Sequence, residues 1–187
     1  MSAASSKPPL KSVVLVGLMG SGKSSVGRRL AKRLNLPFID ADQEIAAAAG
    51  CSIEEIFERY GESAFRNGER RVIARLLDEG AKVLATGGGA FIDAGTRDKV
   101  RETGVSVWLR AELDILVTRV GRRGGRPLLK DVDPRQKLGE LIAERYPIYA
   151  LADITVETGE EPPDTTVDTI VAALEAHERR TPVAAKS

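Results

Sequence analysis

The chain has 187 residues, with 28 lysines and arginines against 27 aspartates and glutamates, and a formal net charge of +1 at pH 7. That length suits one domain with a substantial core, and the balanced charge argues against nucleic acid or an anionic membrane as a main partner. A single cysteine, Cys51, and a single histidine, His177, exclude an internal disulfide, a multi-cysteine metal site and a histidine-based nucleophile system.

The polar opening, residues 1–10, has no apolar centre and is read as a disordered lead-in rather than a signal or transit peptide. No apolar run approaches the ~18 residues that span a bilayer, so a cytoplasmic protein without a membrane partner is expected. Residues 12–17 are apolar, β-branched and end on glycine, which predicts a short buried strand. From Lys23 to Leu34 the residues Val26, Leu30 and Leu34 recur every fourth position and predict a helix. Pro37–Asp40 reads as a second strand, followed by a short alanine-rich helix. Ser52–Gly80 has helical spacing, interrupted near Gly61 and closed by glycine. Lys82–Thr86 predicts a third strand leading into Gly87-Gly88-Gly89, Val105–Leu109 a fourth, and Ala152–Glu157 contains a fifth. Trp108 belongs to the fourth and is expected to pack in the core. Strands alternating with helices imply a parallel sheet covered on both faces, with ligands beyond the carboxyl ends of the strands.

Between the first strand and first helix stands Gly17-Leu-Met-Gly-Ser-Gly-Lys-Ser24, which meets the pattern G-x-x-x-x-G-K-S. Glycines let backbone N–H groups converge on phosphate oxygens, and the helix N-terminus adds favourable partial charge. In that chemistry Lys23 reaches the β- and γ-phosphates and Ser24 ligates Mg²⁺. The loop therefore holds a nucleoside triphosphate. Neither Asn35 nor Asn67 precedes a lysine, so the Asn-Lys-x-Asp guanine reader of GTP switches is missing. The third strand ends in Thr-Gly-Gly-Gly rather than in acidic residues, which disfavours a motor. Asp40 and Asp42, one residue apart at a strand end, can divide two tasks, metal and acceptor; the plainer alternative has Asp42 capping the next helix.

The segments GLMGSGKS, FIDADQEI, SIEEIFERYGESAFRNGE, VLATGGGA, RPLL and ERYPIYALAD, in this order, resemble the shikimate kinases over about residues 11–178. The resemblance implies a three-layer α/β/α P-loop kinase fold on a five-stranded parallel sheet, with a substrate-binding region at about 42–80 and a lid at about 121–134. It also implies ATP-dependent phosphorylation of the 3-hydroxyl of shikimate, in aromatic amino-acid biosynthesis, by a monomer using Mg²⁺. Carried over by motif, Gly20, Ser21, Gly22, Lys23, Ser24 and Ser25 bind the nucleotide, with Arg119 at the adenine end. Ser24 and Asp40 serve the metal. Asp42, Arg66, Gly87, Gly88, Gly89 and Arg145 bind shikimate, and Lys23, Asp42 and Arg126 are catalytic.

The residue chemistry suits these roles. Arginine forks pair both oxygens of a carboxylate, so two of them favour a cyclic acid over a neutral polyol. Arg66 stands three residues before Glu69 on a predicted helix, close enough to be oriented by it, although the same spacing also serves an ordinary surface pair. Gly121–Pro134, rich in glycine and cations, is expected to close Arg126 over the phosphates and exclude water. Residues 179–187 are expected to form a loose tail.

Overall fold

The computed structural model describes residues 11–122 and 129–181. Five strands, β1 (Ser12–Val16), β2 (Phe38–Asp40), β3 (Val83–Ala85), β4 (Gly104–Ala111) and β5 (Ile154–Thr158), form one sheet in the order β2-β3-β1-β4-β5. Every pairing in it is parallel. Between and after the strands come α1 (Lys23–Leu34), α2 (Ala41–Ala49), α3 (Ile53–Asp78), α4 (Ala94–Thr103), α5 (Leu113–Gly121), α6 (Pro134–Tyr149) and α7 (Pro163–Arg180).

The central strand explains the layering. Side chains alternate across a strand, so β1 sends Val13 and Leu15 to one face and Val14 and Val16 to the other. The first pair packs with Val26 and Leu30 of α1 and Val167 and Ile170 of α7. The second pair packs with Ile73 and Leu76 of α3, Val100 of α4, Leu116 of α5 and Leu138 of α6. Each fully buried leucine or valine contributes about 1.5–3 kcal/mol by removal from water. Trp108 joins the second face, buried and edge-on to Tyr146 at 4.9 Å between ring centroids. The expectation of a core tryptophan is met.

Several boundaries differ from the predicted ones. β4 extends beyond residues 105–109 at both ends, because Gly104 pairs with Ser12 of β1 and Ala111 with Thr158 of β5. α3 runs on past Gly61, whose backbone (φ 81°, ψ 173°) kinks it where the interruption was expected. α7 continues to Arg180, two residues into the expected loose tail. Arg179 Nε donates to the Glu175 carbonyl at 3.2 Å, and basic residues in a last turn complement the helix dipole. The expected lid segment joins α5 to α6; its residues 123–128, Arg126 among them, lie outside the described residues, as do 1–10 and 182–187.

The chain runs from β1 to β2 and β3 on one side, then crosses to β4 and β5 on the other. The order reverses at β1, so a crevice opens beyond its carboxyl end. The phosphate loop leaves β1 there.

Candidate active site

The phosphate loop is shaped by its last glycine. Gly22 caps α1 in a left-handed conformation (φ 95°), a region that side chains with a Cβ enter only with strain, and it exposes the helix N-terminus to the crevice. Lys23 lies back along the loop, its Nζ donating to the carbonyls of Gly17 at 2.7 Å and Leu18 at 2.9 Å. The buried Ser21 hydroxyl has no hydrogen-bond partner among the described residues.

Asp40 ends β2 and does two jobs. One carboxylate oxygen accepts the backbone N–H groups of Asp42 at 3.0 Å and Gln43 at 3.4 Å, capping α2. The other accepts the Ser24 hydroxyl at 3.1 Å. The helix cap is therefore Asp40, not Asp42, because α2 begins at Ala41, two residues before a cap at Asp42 would allow. Asp42 instead turns toward the glycine run. A Cβ built on Gly87 would lie 2.8 Å from Asp42 Oδ1 and 3.2 Å from Glu69 Oε2, so the two carboxylates flank that glycine.

Two arginines border the same glycines. Arg66 Nη1 donates to Glu69 Oε1 at 2.8 Å, and Arg66 also pairs with Glu62 at 3.5 Å. The Glu69 side chain is 4% exposed, so the Arg66–Glu69 pair is not the surface pair its spacing equally allowed. Burial pushes the Glu69 carboxyl above its ordinary value, with Arg66 opposing and Asp42 adding to the rise. Arg145 of α6 is 6% exposed, and its Nε has no partner among the described residues. A Cβ on Gly88 would come within 3.1 Å of Arg145 Nη1, and one on Gly89 would collide with the Arg66 guanidinium. At these glycines backbone and guanidinium approach so closely that a side chain would displace the arginine.

At the far end Arg119 Nη1 donates to the Gly20 carbonyl at 3.2 Å, and Nη2 donates to the Gly159 carbonyl. Burial pulls this guanidinium below its ordinary value. Arg119 thus ties the phosphate loop to the β5–α7 loop, whose Gly159 and Glu161, with Thr158 ending β5 and Pro163 opening α7, also face the crevice. Sequence reading missed this loop. The rule that ligands sit beyond strand ends, applied to β5, would have pointed to it.

All these groups line one cleft of about 860 Å³. Gly20, Ser21, Gly22, Lys23, Ser24, Ser25 and Asp40 stand along one part of it, with Arg119 beside Gly20; Asp42, Arg66, Gly87, Gly88, Gly89 and Arg145 stand along another. Among the expected site residues only Arg126 falls outside the described ones. Glu69, Ile53 and Phe57 complete the walls around the arginines. Among the described residues no group of three or more His, Cys, Asp or Glu side chains is arranged to hold a metal. The Ser24–Asp40 oxygen pair fits a hard cation that takes its other ligands from phosphate and water, as Mg²⁺ does.

A parallel sheet with a phosphate loop at its topological switch, opening onto an arginine-bearing polar compartment, defines a P-loop α/β kinase. Within that class, the model of the family "Shikimate kinase" matches residues 19–175. The shikimate kinase of Rhodopseudomonas palustris is 60% identical over 162 residues, covering 87% of this chain and 80% of that protein. The chain belongs to the shikimate kinase family. The solved shikimate kinase of Acinetobacter baumannii, in complex with shikimate, superposes with a TM-score of 0.86 at 38% identity over 90% of this chain and 95% of that one. A gluconokinase from Sinorhizobium meliloti, at 22% identity and a TM-score of 0.63 over 93% of this chain and 97% of that one, shares the fold alone.

Proposed function

We propose that this protein transfers the terminal phosphoryl group of ATP to the 3-hydroxyl of shikimate, releasing ADP and shikimate 3-phosphate. The observation that carries this reading is the pairing, in one cleft, of a phosphate loop with two arginines, Arg66 and Arg145, around a glycine run. A triphosphate fits the first compartment; a small anion with hydroxyl groups fits the second.

In this reading Arg66, held by Glu69, and Arg145 grip the substrate carboxylate through charge-assisted bonds worth roughly 1.5–3 kcal/mol each. That grip aims the ring hydroxyl at the phosphate loop. Lys23 leaves its resting carbonyls to follow the β- and γ-phosphates. Asp42 accepts a hydrogen bond from the attacking hydroxyl and receives its proton as the new O–P bond forms and the bond to the β-phosphate oxygen breaks. Phosphoryl transfer asks the protein chiefly for positioning and charge compensation. Ser24 and Asp40 would hold Mg²⁺, which would supply charge neutralisation on the phosphates. Arg126, in Arg-Pro-Leu-Leu, is assigned to the same task from its motif. Both compartments come from one chain, which supports action as a monomer. No helix of the described residues is long and apolar enough to cross a membrane, and we place the enzyme in the cytoplasm, where ATP is supplied.

The test is ADP release measured with shikimate, gluconate and AMP in parallel. Mg²⁺-dependent turnover with shikimate alone is expected. Comparable turnover with gluconate or AMP would overturn the choice of acceptor.

A further inference from the structure

Arg145 and Tyr149 lie one turn apart near the end of α6, on either side of Pro147. Tyr149 has no exposed surface. Its hydroxyl donates to the Gly88 carbonyl and also meets the Arg145 guanidinium. The ring packs 5.8 Å from Trp108 and 6.2 Å from Tyr146, which fixes where the hydroxyl can sit. Burial, opposed by the Arg145 charge, pushes that hydroxyl up to about 12, so it stays a donor at any working pH. Packing alone would be served by phenylalanine; a buried hydroxyl is retained where it has partners. Both partners here face the cleft.

We infer that Tyr149 is a positioning residue for the acceptor: its one hydroxyl sets the orientation of the Gly88 peptide and the placement of the Arg145 guanidinium together. The peptide consequence follows from planarity. No cis peptide occurs among the described residues, and a trans peptide points its N–H opposite to its carbonyl. Seating the Gly88 carbonyl on Tyr149 turns the Gly89 N–H away from α6 and toward the cleft. The guanidinium consequence follows from reach. Arg145 Nη1 and the Tyr149 hydroxyl both stand against Gly88, within 3.1 and 3.7 Å of where its Cβ would lie, so the tyrosine oxygen bears on the placement of the fork. Among the described residues the partners of the Tyr149 hydroxyl are Gly88 and Arg145, on the acceptor side of the cleft. The effect therefore belongs to one substrate.

This inference rests on the reading of the cleft as a shikimate site, so turnover of shikimate by the unaltered protein is measured first. Without it, the substrate reading fails. With it, Tyr149→Phe removes the hydroxyl and keeps the ring. The KM for shikimate is expected to rise about tenfold, while kcat and the KM for ATP stay within about twofold, the pattern of lost ground-state binding. Trp108 fluorescence should be unaltered, since the ring contact remains. An unchanged KM for shikimate overturns the inference. So does a parallel rise in both KM values with shifted Trp108 emission, the signature of a packing defect. Should Tyr149→Phe fail to fold, Gly88→Ala disturbs the same junction from the other side, its Cβ arriving 3.1 Å from Arg145 Nη1 and 3.7 Å from the Tyr149 hydroxyl. A selective rise in the KM for shikimate is again expected, and no change overturns the inference.

Discussion

Glu69 accepts from Arg66 at 2.8 Å while keeping almost no contact with solvent, and its second carboxylate oxygen faces Gly87 without a partner among the described residues. One oxygen therefore fixes the arginine, and the other carries an uncompensated cost of burial.

That cost has a sign. Burial raises the folded-state value of Glu69 above the ordinary one, so between the two values the folded protein binds more protons than the unfolded chain. Stability contributed by this group is present below the unfolded value, about 4.3, and is lost as pH rises through the folded one. Glu69→Gln removes the titration but keeps the size. Thermal melts from pH 4 to 8 are expected to show the variant gaining on the unaltered protein as pH rises. Its KM for shikimate should nonetheless increase, because a neutral amide holds Arg66 less firmly. A stability difference independent of pH would contradict the first half; an unchanged KM, the second.

Lys23 rests on the Gly17 and Leu18 carbonyls, within the loop it would serve. Lys23→Ala therefore costs the fold little and the reaction much. We expect kcat/KM for ATP to fall by at least about a hundredfold, roughly 3 kcal/mol of transition-state stabilisation, with the melting temperature nearly unchanged. Steady-state kinetics beside calorimetry decide this. Retention of more than a tenth of the activity would remove Lys23 from the catalytic set.

Gly89 offers a probe of the acceptor compartment alone. A methyl group there would meet the Arg66 guanidinium, and nothing of the phosphate loop is among the nearest atoms. Gly89→Ala is expected to raise the KM for shikimate about tenfold and leave the affinity for ADP unaltered. Titration calorimetry with each ligand separates the two. Equal weakening of both would mean that the compartments are not independent.

The contrast between these residues marks what a sequence can show. The phosphate loop and the glycine run were legible because their chemistry is written in adjacent residues, and the strands because each is a short apolar run. The ends of β4 were not, since Gly104 and Ala111 join it through partners on β1 and β5. Nor was the burial of Glu69. The same Arg-x-x-Glu spacing serves exposed helix faces, and it takes groups from elsewhere in the chain, Asp42 and Gly87 among them, to surround this glutamate. The β5–α7 loop carries no motif at all; Arg119, from α5, makes it part of the site.

Asp40 shows how two roles of one side chain can be separated. Its Oδ1 caps α2 through Asp42 and Gln43, and its Oδ2 takes the Ser24 hydroxyl. Asparagine caps helices about as well as aspartate, whereas alanine costs about 1 kcal/mol. Asparagine also removes the negative charge that a hydrated Mg²⁺ would feel. Asp40→Asn should therefore melt like the unaltered protein yet need about tenfold more Mg²⁺ for half-maximal rate, in line with the loss of an outer-sphere partner. Asp40→Ala should show the same metal requirement and, in addition, a melting temperature lower by about 2–4 °C. Ser24→Ala should share the metal effect without the loss of stability, because its hydroxyl meets Oδ2 and not the Oδ1 that caps α2. The measurements are Mg²⁺ titrations of initial rate and thermal melts for the three variants. A normal Mg²⁺ requirement in both Asp40→Asn and Ser24→Ala would leave this oxygen pair with a purely structural role and move the cation elsewhere in the cleft.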